Sequence, residues 1–400
     1  MKFKNKGRKI YKTKEKNYYG KSPVGKAFSV GLTVLLIGGI GFIGYSVAEP
    51  LINYSKKKGD NTESMVAEST TEELTDENGE PVTQDTEPVV PLPLSAEKYR
   101  AYALSTGDLI GTDTLKDALK RVPAGENIEY IEVPLKVGGG DIYYASNNYY
   151  ATSGGLVRSY LKLKDIVSTI KNAGYKPVAL VSTFNDNTLP NYFRDMSYLC
   201  VEDGSQWIDN TVEAGGKPWM NPFSETAVGY NSDIVEEISC EGFDKVVCYD
   251  FIFPDFRPSD VEYLGDKVTG PDRYMALTSA ANLLYDKIMH NGATMLLEVD
   301  AADLLKGKND VLQPMLLKVN TVVLNIDIDA ISYGVYTNET VYEFNGTPAE
   351  NVKKMLDLVS EDVEDFNVAV RVSGDTVSTQ DLLDAKDEIV GYGFDSYVLG

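Results

Sequence analysis

The 400-residue sequence contains very little histidine and cysteine. His290 is the one histidine, and Cys200, Cys240 and Cys248 are the three cysteines. A zinc site built on three histidines is therefore excluded, and so is a CxxC pair. The low, odd cysteine count also excludes a disulfide framework. Cys240 and Cys248 remain a candidate pair, but we expect buried free thiols.

Positive charge is also scarce, and it is unevenly distributed. Against 38 Lys and Arg there are 60 Asp and Glu, which gives a net charge of −22. Residues 1–26 hold ten basic residues and one acid, whereas residues 59–95 hold ten acids and no base. The acidic remainder of the chain would repel phosphate backbones, which argues against nucleic-acid binding.

A long uncharged run extends from Ala27 to Ala48. Its 22 residues are enough to span a bilayer, which requires about 20. The basic cluster before it predicts a single-pass membrane protein with a cytoplasmic N-terminus and an extracytoplasmic C-terminal domain. A cleaved signal peptide is the alternative, because Ser46-Val47-Ala48 has the small-x-small form of a cleavage site. The GxGxxG match at Gly39–Gly44 lies inside this run and is not a dinucleotide site.

Residues 49–95 have the composition of a linker. From Gly59 onwards they are rich in Glu, Thr, Asp and Pro and almost without aromatic residues. Such a segment cannot bury enough apolar surface to offset its ordering entropy, so we expect a disordered stalk. The chain thus divides into a cytoplasmic tail (1–26), a transmembrane helix (27–48), a linker (49–95) and a folded domain (96–400).

From Tyr99 onwards, short apolar runs alternate with amphipathic helical patterns. This alternation predicts parallel βα units, and eight of them predict an α/β fold of the (β/α)8 TIM-barrel type. A doubly wound open sheet is the alternative. The predicted strands are Tyr99–Ser105, Ile128–Val137, Pro177–Phe184, Lys245–Phe253, Thr294–Asp300, Thr321–Asp327, Val368–Val372 and Ser396–Leu399. The predicted helices are Thr112–Arg121, Lys162–Ala173, Ser224–Ser239, Arg273–Met289 and Ala349–Ser360, and residues 185–222 form an insertion.

Polar residues collect near the carboxyl ends of these predicted strands. In a TIM barrel alternate strand residues point inward, and active sites lie at the C-terminal ends of the strands. The polar residues that we place there are Glu132, Lys136, Asp250, Glu298, Asp300, Asn325, Asp327, Asp329 and Arg371. We interpret the set as a functional mouth rich in carboxylate. The alternative is a solvated rim on a very acidic barrel.

Catalysis by a pair of carboxyl groups is compatible with these residues, whereas catalysis that depends on histidine is not. His290 ends the helix before the fifth strand, at the wrong face for a Ser-His-Asp or Cys-His site. Glycoside hydrolysis uses two carboxyl groups, about 5–5.5 Å or about 6.5–9.5 Å apart. Neighbouring strands are about 4.8 Å apart, so Asp250 with Glu298 or Asp300 is a candidate pair. Crowding would raise one pKa and supply the acid.

The strand ends and the insertion also bear on metal binding and on sugar binding. Dense carboxylates would also suit Ca²⁺, but no EF-hand spacing is present, so we expect neither a metal nor a cofactor. Aromatic rings stack on sugars, and Trp207 and Trp219 in the insertion are the best candidates for exposed contacts. We expect most of the other aromatic residues here to pack in the core. The predicted substrate-binding residues are Lys136, Asp186, Trp207, Trp219, Tyr249, Asp327 and Arg371.

Several stretches resemble the bacterial glycoside hydrolase-like TIM-barrel domain family. They are Lys164–Val167 with Ala173–Asp186, Asp203–Asn210, Lys217–Phe223, and Tyr230–Ile234 with Glu241–Asp244. The resemblance covers roughly residues 97–400 and is strongest over 162–254. It implies a TIM barrel, carbohydrate chemistry and frequent membrane anchoring.

The strand ends depart from the family's pattern, so the resemblance is to a divergent member. The fourth strand of the family typically reads Phe-Asp-Tyr-x-Arg-Phe-Pro, whereas Tyr249–Pro254 keeps the Asp and the Pro but lacks the Arg. The fifth usually carries Ser-Ala-Asp, against Glu298-Val299-Asp300 here. Asp250 therefore carries over residue for residue, and Asp300 matches by position.

Our leading hypothesis is a membrane-anchored, extracytoplasmic glycoside hydrolase that acts on a cell-envelope polysaccharide. Asp250 would be the nucleophile or base, and Glu298 or Asp300 the acid. The alternative is a catalytically inactive barrel that binds glycan or serves as a scaffold of the envelope. The expected partners are a cell-wall glycan and the membrane, and no nucleic acid.

Overall fold

A computed structural model describes residues 97–400 of the chain. The predicted cytoplasmic tail (1–26), transmembrane helix (27–48) and linker (49–95) lie outside the described residues. Within the described part, no helix combines the length and the apolar character needed to cross a bilayer.

Eight parallel strands close into a barrel, which confirms the TIM-barrel prediction and excludes the doubly wound sheet. The chain-order neighbours pair with one another, and the last strand closes the ring against the first. The barrel strands are β1 (Arg100–Ala103), β2 (Tyr130–Lys136), β3 (Lys176–Ser182), β4 (Lys245–Tyr249), β5 (Thr294–Asp300), β6 (Thr321–Asp327), β9 (Asn367–Ser373) and β10 (Tyr397–Leu399). A small antiparallel hairpin, β7 (Val335–Tyr336) and β8 (Val341–Tyr342), follows β6.

The five predicted helices are present, each within two residues of its predicted ends. The α-helices are Thr112–Leu119, Tyr149–Ser153, Leu163–Asn172, Leu189–Tyr192, Glu225–Ser239, Pro258–Leu264, Asp272–His290, Ala301–Leu305, Ile328–Ile331, Pro348–Val359 and Thr379–Tyr392. The last of these was not predicted. Its ends nevertheless carry helix signals: a capping box from Ser378 to Asp381 and a left-handed Gly393 at φ 115°.

The barrel interior is apolar in its N-terminal half and polar above it. The apolar layer consists of Tyr99, Ala101, Tyr130, Val178, Val247, Leu296, Val323, Ala369 and Val398. Two residues further along three of these strands, the inward positions are Glu298, Asn325 and Arg371. The opposite strand faces pack against the crossover helices in a second, larger core. The change from apolar to polar marks the floor of the candidate site.

Candidate active site

Asp250, Glu298 and Asp300 line one cavity at the C-terminal end of β4 and β5, with a volume of about 240 Å³. Tyr249, Asp303 and Asn325 are among its other lining residues. Cys248 of β4 stands opposite Leu297 of β5 in the parallel register, so the chain just after β4 runs beside the end of β5. The structure thus brings the three predicted catalytic residues together.

Asp250 reaches this cavity by a route that the strand pattern did not predict. Val247 points into the barrel, so alternation gives the next inward position to Tyr249 and not to Asp250. β4 ends at Tyr249, and Asp250 adopts a left-handed conformation with φ 60°. Residues other than glycine rarely adopt this conformation, although Asp and Asn tolerate it better than most, and such positions are enriched at functional sites.

Hydrogen-bond donors hold the Asp250 carboxylate in place. The Ser182 hydroxyl at the end of β3 donates to Asp250 Oδ2 over 2.6 Å, and the side chain of Asn185 also hydrogen-bonds to it. Enclosure by the protein raises the pKa of Asp250, while Ser182, the charge of Lys136 and Asn185 oppose that rise. The donors therefore favour the ionised form that a nucleophile or a base requires.

Glu298 belongs to an ion network that crosses the barrel interior. Arg371 Nε donates to Glu298 Oε2 over 2.8 Å, and Arg371 Nη2 lies 2.6 Å from Glu132 Oε2. The Tyr99 hydroxyl donates to Glu132 Oε1 over 2.5 Å. Burial raises the pKa of Glu298 to about 7 despite Arg371, with Glu132 adding to the rise. Burial disfavours charge on Arg371, but Glu132 and Glu298 together raise its pKa above the ordinary value.

Asp300 ends β5 and caps the helix Ala301–Leu305. Its Oδ1 accepts from the backbone N–H groups of Ala302 and Asp303, over 2.8 and 3.2 Å. Burial raises the pKa of Asp300 to about 6, and the charge of Asp303 adds to the rise. Since both hydrogen bonds use Oδ1, Oδ2 is the oxygen left for a substrate.

Lys136 and Asp186 are fully buried and are not among the residues that line the cavity. A bulge in β2 between Pro134 and Lys136 shifts the register, and Lys136 Nζ donates to the carbonyl oxygens of Ser182 and Thr183 over 2.7 and 3.1 Å. Asp186 Oδ1 accepts from two backbone N–H groups of the following turn, and burial raises its pKa. The structure therefore places both predicted substrate contacts against backbone.

The two tryptophans of the insertion have different surroundings. Trp207 is 5% exposed and packs against Tyr198 and Phe256, so the expectation of an exposed contact is wrong for this residue. Trp219 is half-buried, and its indole N–H donates to Asp209 over 2.8 Å. It lines a second cavity of about 610 Å³, which shares Ile252 and Asp303 with the catalytic one.

The remaining predicted contacts divide between the cavity and its surroundings. Tyr249 lines the cavity, whereas Arg371 lies below it in the ion network. Asp327 is outside the cavity lining and caps the helix Ile328–Ile331 by accepting from the N–H of Ala330 over 3.0 Å.

Sequence reasoning missed Ser182 and Asn185 as partners of Asp250. Ser182 had a usable signal, because it continues the inward parity of Val178 in β3. Asn185 had none, since it lies in a loop. All three cysteines are free, as expected, but only Cys248 is buried, whereas Cys200 is half-buried and Cys240 is exposed. His290 ends its helix. Across residues 97–400, no group of three or more His, Cys, Asp or Glu is arranged to hold a metal ion.

A part of the chain that contains much of the candidate site is similar to a known protein family. Residues 104–299, which include Asp250 and Glu298, match the model of a family described as "Putative glycosyl hydrolase domain". Comparison with curated protein sequences finds no match.

Several solved structures are similar to this chain at low sequence identity. The PgaB (BpsB) glycoside hydrolase domain from Bordetella bronchiseptica is 13% identical, with 76% of this chain and 94% of that chain covered and a TM-score of 0.53. The PelA glycoside hydrolase domain from Pseudomonas aeruginosa is 12% identical over 76% and 94% of the two chains, with a TM-score of 0.40. The α-galactosidase TtGalA from Thermus thermophilus is 14% identical over 77% and 62%, with a TM-score of 0.49. Over residues 104–299, this chain is similar to the family described as "Putative glycosyl hydrolase domain".

Proposed function

We propose that the protein hydrolyses a cell-envelope polysaccharide through a pair of carboxyl groups, Asp250 and Asp300. The observation that carries the proposal is the single cavity at the end of β4 and β5 that both residues line. Asp300 donates a proton to the glycosidic oxygen, and Asp250 attacks the anomeric carbon or activates a water molecule.

The hydrogen bonds around the two carboxyl groups support this division of roles. Ser182 and Asn185 donate to Asp250, which favours the ionised nucleophile or base. Asp300 has a pKa of about 6, so it carries a proton in mildly acidic solution. Two carboxyl groups with different environments are the usual arrangement for acid and base roles.

Asp300 suits the acid role better than Glu298. Arg371 holds Glu298 over 2.8 Å and stabilises its charged form. A residue fixed in an ion network at the cavity floor is less free to deliver a proton than Asp300 Oδ2. We therefore assign Glu298 to positioning the floor of the site.

We further propose that residues 27–48 anchor the protein in the membrane, with the barrel outside the cell. The uncharged run and the ten basic residues before it support this arrangement. Retention of the full-length protein in the membrane fraction after alkaline carbonate extraction, with the barrel accessible to external protease, is the expected result. Release into the supernatant would contradict the anchor.

A glycan-binding barrel without catalysis is the second candidate function. Arg371 occupying Glu298 favours it, as does the absence of the family's Arg after Asp250. The two functions separate in one assay, in which isolated cell-wall polysaccharide is incubated with the protein and new reducing ends are measured. Release by the wild type but not by Asp250→Asn supports hydrolysis. Binding to the polysaccharide with no release from either protein supports the second function.

A further inference from the structure

Exposed tyrosines are concentrated on one face of the barrel. In the described part of the chain, the exposed tyrosines are Tyr149, Tyr160, Tyr192, Tyr263, Tyr274, Tyr333, Tyr336 and Tyr392. All but Tyr392 follow β2, β3, β4 or β6 and precede the next long helix or lie in its first turn. These segments form the C-terminal face, where the catalytic cavity opens.

Tyr392 is the exception, and it lies at the other end of the molecule. It is the last residue of the helix Thr379–Tyr392, which leads back to the N-terminal end of the barrel at β10. Single exposed aromatic residues are normal on protein surfaces. The location of the other seven exposed tyrosines on the face with the cavity is what requires a physical explanation.

Tyr333 and Tyr336 are the best-defined part of this surface. Their exposed fractions are 83% and 68%, and they lie at the hairpin β7–β8, which follows β6. Val335 between them is buried and attaches the hairpin to the core. Thr337 also exchanges hydrogen bonds with Thr340 across the turn. The two rings are therefore exposed on a hairpin whose backbone is fixed by packing and hydrogen bonds.

The sizes of the cavities indicate a ligand that extends beyond them. The catalytic cavity, at about 240 Å³, is smaller than the roughly 300–1,000 Å³ of typical ligand pockets. It shares two lining residues, Ile252 and Asp303, with the second cavity. A single small sugar would leave the tyrosines of the β6–β9 connection without a role.

We infer that the C-terminal face binds an extended polysaccharide chain and that Tyr333 and Tyr336 hold it outside the catalytic cavity. Tyrosine suits this ligand because its ring packs on the C–H faces of sugars while its hydroxyl remains hydrated. The net charge of −22 disfavours a polyanion, so the polymer is neutral or basic. The inference rests on the proposed function for its glycan class, and it adds that the substrate is a polymer bound along its length.

The test measures binding separately from hydrolysis. The full-length protein carrying Asp250→Asn is incubated with insoluble, isolated cell-wall polysaccharide, and the bound fraction is measured with and without Tyr333→Ser/Tyr336→Ser. We expect the double substitution to weaken binding about tenfold, because two aromatic contacts are removed. Binding by the parent protein should persist in about 0.5 M NaCl, since screening affects charges and not ring stacking.

Tyr392→Ser is the matched control, and it should leave binding unchanged. Thermal melting of each variant checks the fold, which the exposed residues 333 and 336 should not affect. Equal binding by the double variant and its parent would overturn the inference, and so would failure of the parent to bind.

The two proposals can fail separately. Tyrosine-dependent binding without release of reducing ends by the wild type would remove the hydrolase and keep the surface. Hydrolysis by the wild type, with unchanged binding in the double variant, would remove the tyrosine surface and keep the hydrolase.

Discussion

At the N-terminal end of the barrel Glu97 lies between two lysines, whereas at the C-terminal end several carboxyl groups share few cations. Glu97 Oε2 is 3.1 Å from Lys245 Nζ, and Oε1 is 3.7 Å from Lys176 Nζ. A hydrogen bond from Tyr130, together with these lysines, lowers the pKa of Glu97. Burial instead raises the pKa of Asp250, Glu298 and Asp300.

This difference in pKa distinguishes a carboxylate that stabilises the fold from carboxyl groups that can take part in catalysis. A carboxylate with a lowered pKa stabilises the folded state above its ordinary pKa of about 4.5 and loses that contribution on acidification. A carboxyl group with a raised pKa instead lowers the stability of the folded state as pH rises, because the unfolded chain releases its proton more readily. Such unfavourable groups in a cleft are typical of active sites.

The largest expected effect is the loss of activity on substitution of Asp250. Asp250→Asn should lower the rate of reducing-end release by roughly 10⁴-fold or more, because the nucleophile or base is lost. Asparagine tolerates the left-handed backbone at φ 60°, so the fold should be kept. Glu97→Gln at the opposite end is the control, and its rate should stay near that of the wild type. Similar losses in both variants would remove the distinction between the two ends.

Removing the shared cation should have the next largest effect, on stability. Arg371→Met leaves Glu132 and Glu298 buried without their partner and should lower the free energy of unfolding by about 3–5 kcal/mol. Urea denaturation measures it. Arg158→Met breaks a more exposed pair with Asp141 and should cost about 1 kcal/mol or less. Equal costs would mean that the interior network is not special.

Asp300→Asn should reduce activity without damaging the helix that it caps. Asparagine is a good N-cap, so the melting temperature should change little, while loss of the acid lowers the rate about 10²-fold or more. The fall in wild-type activity as pH rises through about 6 should disappear in the variant. Asp327→Asn, at the cap after β6, is the control outside the cavity. A larger loss from Asp327→Asn would place the acid elsewhere.

The smallest effect should be on the pH dependence of stability. Because folding raises the pKa of Glu298 from 4.5 to about 7, the folded state should lose stability as pH increases through that range. Glu298→Gln should flatten this decline in denaturation curves recorded between those limits. Glu97→Gln should leave this decline in place and should change the pH dependence of stability only around and below the ordinary pKa of Glu97. An unchanged decline in Glu298→Gln would contradict the raised pKa.

The strands and most helices were predictable because their signals are local. β5 and β6 have the predicted ends, since apolar alternation runs directly into Asp300 and Asp327, which cap the next helices. The same alternation correctly placed Glu298 and Arg371 inside the barrel. The helix Thr379–Tyr392 required attention to its caps, because only Ala385 and Ile389 are buried in it.

The details of the site were less predictable because they depend on departures from regular strands. The bulge before Lys136 and the positive φ of Asp250 each break the alternation from which inward residues were predicted. Trp207 is buried because loops from two distant segments meet around it. None of these features has a signature in the local sequence pattern.

The most direct test of the account is a titration of the side-chain carboxyl groups by ¹³C NMR in protein labelled at Asp and Glu. We expect Glu298 to titrate near pH 7 and Asp300 near pH 6, while Glu97 titrates below 4.5. Titration of Glu298 and Asp300 at or below the ordinary values of 4.5 and 3.8 would contradict it.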